Sequence, residues 1–180
     1  YKEIYSNRTP AEQVYMGCIT HFDHELGRFL RYLDDTGLAE NTVIIFASDN
    51  GPESALVPWG PTSRGRTPFR GNKHVLHEGG IRVPGIIKWP GLTKPGTECN
   101  IPVSTLDLLP TLCKASRAPL PDNPEQPLDG GDFREALKGK QVKRRQPLYW
   151  QYIFAPAHYV IGSNVSKALA MRDGCWKLMS

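Results

Sequence analysis

Asp49 and Asn50 close the apolar run of TVIIFASDNGPES, residues 42–54. A carboxylate and an amide carbonyl are both hard oxygen donors, the kind that Ca²⁺ and Mg²⁺ prefer. Two donors are too few for a calcium ion, so a metal site here needs ligands from elsewhere. The same residues could form a hairpin turn, because Asn-Gly between apolar runs is a strong hairpin signal. Pro52, Pro58, Gly60 and Pro61 follow, however, in place of an alternating strand, so the chain leaves the sheet instead. In open α/β sheets ligands gather beyond the carboxyl ends of the strands, and Asp49 and Asn50 stand at such an end. The four cysteines, Cys18, Cys99, Cys113 and Cys175, form no C-x-x-C pair, which argues against a structural zinc site and leaves any disulfide pairing unread. His21 and His24 fall on a long helical stretch well before this strand and read as surface or packing residues.

The strand that carries the pair is a continuous β-branched run without polar alternation. That pattern predicts an interior strand over residues 42–48, buried on both faces of a mostly parallel α/β sheet. A second run, residues 83–89, can begin as a strand because Pro84 lies near its start. The helix flanking the sheet is well marked. Thr9 can cap, Pro10 suits the first helical position and Glu12 completes a capping box. Tyr15, Cys18, Ile19, Phe22, Leu26, Phe29, Leu30 and Leu33 then repeat at helical spacing until Gly37, which predicts a helix over 10–36 packed on something apolar.

Residues 51–70 have no period and read as a long loop of the kind that is usually functional or disordered. Residues 104–117 read as a helix that Pro110 kinks or begins, and 133–138 as a short helix. From Pro147 the pattern changes to an aromatic-rich strand over 148–154. A hairpin follows, formed by 168–172 and 175–178 around a type I′ turn at Asp173-Gly174. The expected fold class is therefore α/β, with a body over residues 1–140 and a small antiparallel tail over 141–180.

With 180 residues and a net charge of +4, the chain can bury a respectable core and has no strong electrostatic bias toward polyanions. Lys138, Lys140, Lys143, Arg144 and Arg145 cluster without interleaved aromatics, and read as a solvated loop or helix end, not as a nucleic-acid surface. No apolar window is long enough to span a membrane. No basic segment followed by an apolar run opens the sequence, so any signal peptide is expected to have been removed already. The sequons at Asn7 and Asn164 read as chance occurrences.

Several blocks together carry a resemblance: HFDHELGRFLRYLDDTGLAENTVIIFASDNG, RGNKHVLHEGGIRVPGIIKWPG, STLDLLPTL, LDGGDF and MRDGCWKL. In this order they resemble the carboxyl-terminal half of the sulfatase family, within the alkaline phosphatase superfamily. The resemblance implies that Asp49 and Asn50 ligate one divalent cation, usually calcium, and that Lys73 contacts the sulfate group. A lysine is most often a solvated surface residue. Beside glycines and ahead of a strand, an ammonium close to the transferring oxyanion would offset charge as the ester bond breaks. Glu78 and Arg82 flank Gly79-Gly80, whose spacing predicts tight backbone geometry and a supporting salt bridge in place of a catalytic role. His74 and His77 flank Lys73 and match no firm family position.

Cys113 begins a C-x-A-x-R segment, which fits a variant of the sulfatase signature whose cysteine becomes formylglycine, the aldehyde that supplies the nucleophile once hydrated. In the family that signature precedes the metal pair and continues into L-T-G-R. Cys113 follows Asp49 and continues into Ala118-Pro119-Leu120, so it is expected to pack a helix. The formylglycine, the remaining metal ligands and an upstream histidine are then expected in an amino-terminal half outside this sequence, which is a possible partner, and the 180 residues alone should not turn over. A sulfated small molecule or glycan is the implied substrate, and a periplasmic, secreted or lysosomal setting the implied location. Arg64, Arg66, Arg70 and the aromatic stretch 149–159 are candidates to shape its pocket. Two alternatives remain at this point: a phosphoryl-transfer relative in the same superfamily, although no histidine-rich two-metal cluster accompanies Asp49, and a noncatalytic binding module.

Overall fold

The computed structural model describes residues 1–52, 68–121, 125–154 and 166–180. Helix α1 spans Pro10–Asp35, with the full Thr9/Glu12 capping box and Pro10 in its first turn. Thr36 caps it, and Gly37 takes a left-handed φ of 71°, the backbone region in which a glycine pays no side-chain penalty. A short 3₁₀ turn, Lys2–Tyr5, lies against α1, and Tyr5 Oη meets Thr20 Oγ1 at 2.6 Å. The apolar stripe of α1 is only partly covered. Leu33 is buried and Phe22 touches the ring of Phe46, but Tyr15, Ile19, Phe22 and Phe29 stay exposed.

Strand β1, Ile44–Ala47, runs antiparallel to β2, Gly85–Lys88, in the register Ile45↔Ile87 and Phe46↔Ile86. The mostly parallel sheet expected from the apolar run is not found among the described residues, where both sheets are antiparallel. Nor is β1 buried on both faces, since Ile44 to Phe46 are half-buried and Ala47 is exposed. Its partner is not a hairpin strand immediately after Gly51 but a strand that follows a long excursion. The four-residue helix α2, Glu78–Ile81, stands just before β2.

A 3₁₀ turn over Thr105–Asp107 leads into α3, Leu108–Ser116. Pro110 sits in the first turn of α3, where no intrahelical N–H is lost. Helix α4, Arg134–Leu137, is one residue shorter at each end than expected. The second sheet joins β3, Leu148–Phe154, β4, Ser166–Asp173, and β5, Trp176–Met179, in that order. Trp150 pairs with Ala170 and Arg172 with Lys177. Leu148, Trp150, Tyr152, Ala170, Arg172 and Lys177 therefore share one face. Leu148 and Ala170 are buried there, while Tyr149, Leu169, Trp176 and Leu178 on the other face are exposed.

The β4–β5 turn is Gly174-Cys175, one residue later than expected. Only Gly174 has positive φ, 55°, which is the type II′ pattern and not type I′.

The solvated reading of the basic run fails at Arg144. Its guanidinium forms a bidentate pair with Asp107, with Nη2 2.9 Å from Oδ1. Asp107 is fully buried, and it also accepts from the backbone N–H groups of Ser104 and Gly131, both at 2.8 Å. A buried carboxylate needs this saturation of its lone pairs to offset desolvation.

Candidate functional site

Asp49 and Asn50 lie just beyond the carboxyl end of β1, Asp49 exposed and Asn50 half-buried. Ser48 organises them: its hydroxyl donates to the Asn50 carbonyl at 3.0 Å and to Asp49 Oδ1 at 3.3 Å. The Asn50 side-chain amide donates to the Gly51 carbonyl at 2.8 Å, which leaves its Oδ1 for another partner. Carboxylate and amide oxygen together suit a hard cation as part of a shell. Among the described residues no group of three or more His, Cys, Asp or Glu side chains could hold a metal by itself.

Two backbone hydrogen bonds bring the Lys73 loop onto this strand end, and a third closes the loop on itself. The Lys73 N–H donates to the Pro52 carbonyl at 2.9 Å, the Gly51 N–H to the Gly80 carbonyl at 2.8 Å, and the Gly79 N–H to the Arg70 carbonyl at 2.8 Å. Such an approach requires glycine. A Cβ on Gly51 would collide with the Gly79 carbonyl, and one on Gly79 with the carbonyls of Gly71 and Arg70. The tight geometry expected at Gly79-Gly80 is therefore what lets the loop that carries Lys73, half-buried, approach Gly51 and Pro52.

Glu78 is a supporting ion-pair residue, but its direct partners are not those expected. Lys177 Nζ lies 2.8 Å from Glu78 Oε1, and Arg172 Nη1 3.7 Å from Oε2. Partial burial pushes the Glu78 carboxyl up. The Lys177 hydrogen bond and the charges of Lys177, Arg172 and Arg82 outweigh that, so it sits below the usual carboxylate value. Arg82 itself lies over the Phe69 ring, 4.5 Å from its centroid. His74 Nδ1 hydrogen-bonds with Tyr152 Oη at 2.7 Å. His21 and His24 are exposed beside the Tyr1 ring. Cys113 is half-buried on α3 and lines an open cavity of about 540 Å³ with Trp89, Pro90 and Leu112. Arg70 is exposed. Arg64, Arg66 and the stretch 155–159 lie outside the described residues.

Sequence reasoning missed Arg172 and Lys177, and named Tyr152 only as part of the aromatic stretch 149–159. Alternation in MRDGCWKL marks a hairpin, but not what its inward side chains meet a hundred residues upstream.

Comparison with known proteins identifies the family. The sulfatase family model matches residues 2–117, and the model for the C-terminal region of N-sulphoglucosamine sulphohydrolase matches residues 70–180. Human steryl-sulfatase is 34% identical over 141 residues, 77% of this chain and 24% of that protein. Human arylsulfatase A is 35% identical over 159 residues, 88% of this chain and 29% of that protein. The solved structure of Ps i-CgsB in complex with k-i-k-neocarrahexaose superposes with a TM-score of 0.77 at 27% identity, covering 99% of this chain and 36% of that one. The chain belongs to the sulfatase family, whose members hydrolyse sulfate esters. It spans about a quarter to a third of the length of the proteins it matches. Among the described residues no helix is long and apolar enough to cross a membrane.

Proposed function

We propose that this chain supplies the cation-binding and sulfate-holding side of a sulfuric ester hydrolase site. Asp49 and Asn50 are ligands of one Ca²⁺, and Lys73 holds the sulfate. The observation that carries this reading is the pair of backbone bonds from Gly51 and Pro52 to the Lys73 loop, which brings the strand end with its two hard oxygen donors and the loop that carries the lysine together. When bound, a calcium ion there would draw charge from the sulfate oxygens. The Lys73 ammonium would donate to the same group and offset the charge that develops as the ester bond breaks. The Gly51–Gly80 bond keeps the two parts from drifting apart.

Two ligands do not complete a calcium shell. The remaining ligands and the formylglycine nucleophile are proposed to come from segments beyond these 180 residues, so this chain alone is inactive. The exposed Tyr15, Ile19, Phe22 and Phe29 on α1 support such a covering segment. Residues 1–140 would then belong to the catalytic body and 141–180 to a small following subdomain. The substrate class is a sulfated glycan or small molecule, in a secreted, periplasmic or lysosomal setting. The oligosaccharide in the Ps i-CgsB complex supports a carbohydrate.

The test is made in the sulfatase that contains this chain, with p-nitrophenyl sulfate as the probe. Asp49→Ala should lower calcium affinity and turnover together, with partial rescue by added calcium. Lys73→Ala should lower kcat about a hundredfold while calcium titration stays unchanged. Cys113→Ala should leave the folded enzyme active. Full turnover by Lys73→Ala, or formylglycine found at Cys113 by mass spectrometry, would overturn the assignment.

A further inference from the structure

Lys73 occupies the corner of a tight turn. The Val75 N–H meets the Asn72 carbonyl at 3.3 Å, and of the two central residues, Lys73 and His74, only His74 has positive φ, 76°. That is the type II pattern, whose third position normally belongs to glycine or asparagine. Among the described residues one other non-glycine has positive φ, Arg117 at 58°. Arg117 caps α3, where a left-handed residue is an ordinary way to end a helix. His74 ends no helix. A histidine here carries backbone strain that glycine would avoid, and strain of this kind persists only where the surroundings over-determine it.

What surrounds His74 is the second sheet. Its Nδ1 hydrogen-bonds with Tyr152 Oη at 2.7 Å, and the rings stand 6.0 Å apart at 50°. Tyr152 is fixed by the β3–β4 register opposite Ala168. Two and four residues past His74, a second anchor from the same sheet face operates. Lys177 Nζ donates to the Leu76 carbonyl at 2.6 Å and to Glu78 Oε1 at 2.8 Å. The turn that carries Lys73 is thus held on one side by Pro52, beside the candidate metal ligands, and on the other by the inward face of β3 and β5.

We propose that Tyr152, acting through His74, is a positioning residue for Lys73: it holds the strained turn so that the ammonium is aimed before substrate arrives. Preorganising a charged group in this way removes reorganisation from the reacting step. The proposal rests on the sulfate-holding role given to Lys73 above, and it assigns the sheet a task beyond packing.

Two measurements separate its failure from failure of that role. The first needs no activity. In this chain, Tyr152→Phe keeps the ring and removes the hydroxyl, and His74→Gly removes the side chain while relieving the left-handed strain. Both should speed amide hydrogen exchange across residues 72–80, with exchange in α1 unchanged. Unchanged exchange at 72–80 in both variants would overturn the tether whatever Lys73 does. The second uses the sulfatase that contains this chain. Tyr152→Phe and His74→Gly should each lower kcat on p-nitrophenyl sulfate about tenfold, with calcium affinity kept and His74→Gly no less stable to heat. In a Lys73→Ala background, Tyr152→Phe should have no further effect. A tenfold loss that persists without Lys73 would make Tyr152 a structural residue and overturn the proposal.

Discussion

The two sheets of this molecule are both antiparallel, yet they are connected in opposite ways. β4 and β5 are joined by Gly174-Cys175 alone, and the register that follows puts every second side chain on one face. β1 and β2 are joined by everything from Ser48 to Pro84. The long connection contains Asp49, Asn50, Lys73 and the glycines that fold the loop back on itself. The short one leaves no room for a site. Chemistry gathers in connecting segments because they are free of the ladder's demands on backbone direction. The regular sheet serves that loop as a rigid support through Tyr152, Arg172 and Lys177. One region is held by backbone approach through glycine, the other by side-chain alternation.

The largest effect should come from breaking the first kind of holding. Gly79→Val places a side chain against the carbonyls of Gly71 and Arg70, and backbone cannot retreat as a flexible side chain could. A loss of about 4 kcal/mol or more is expected, read by denaturant unfolding. Amide exchange should show residues 70–80 losing protection before the β4–β5 hairpin does. Equal loss in both regions would mean that the sheet depends on the loop as much as the loop on the sheet.

Next in size is the joint between the body and the segment that leads to β3. Asp107→Ala removes the partner of Arg144 and the acceptor of the Ser104 and Gly131 N–H groups. Breaking a buried pair from one side leaves a charge without compensation, and about 3 kcal/mol of stability should go. Arg144→Met with Asp107→Leu, which removes both charges, should recover part of it. A double variant as unstable as Asp107→Ala would show that the backbone N–H donors left without an acceptor, and not the stranded guanidinium, set the cost.

What could be read from the sequence follows the same division. α1 was legible to the residue at its start because the signals that bound it, Thr9, Pro10, Glu12 and Gly37, are local. β3 was legible from its composition, and the hairpin was legible except for its turn. There Asp173-Gly174 fits type I′, but cross-strand pairing of Asp173 with Trp176 moves the turn one residue on. The direction of the β1 partner was not legible. An apolar run states that a strand wants cover and says nothing of which way its neighbour points. Arg144 was hidden among basic neighbours, since its acid lies 37 residues away in sequence. For the site, Asp49, Asn50 and Lys73 were named from motif resemblance, and the structure brings the strand end and the lysine loop together. The contacts of Tyr152 and Lys177 were invisible because only the folded sheet carries these side chains to residues 74–78.

The smallest expected effect sharpens the comparison most, because it reads the sheet's grip on the loop through a single proton. Lys177 and Arg172 hold the Glu78 carboxyl below its ordinary value of 4.5. The folded chain therefore keeps Glu78 ionised at acidities where the unfolded chain has already bound its proton. The stability this supplies is present above about pH 4.5 and is lost as pH falls toward the folded value. Glu78→Gln cannot titrate. The gap in melting temperature between the native chain and Glu78→Gln should be widest near neutral pH and narrow steadily below pH 4.5. Asp132 and Glu135 also have lowered values, Glu135 to about 2, but they are common to both proteins and cancel from the difference. Because Glu78 and its partners are partly exposed, added salt should shrink the neutral-pH gap. A gap that stays constant from pH 7 to pH 3 would mean that Lys177 holds the loop through the Leu76 carbonyl alone, and that the ion pair is incidental to the sheet's hold on the lysine turn.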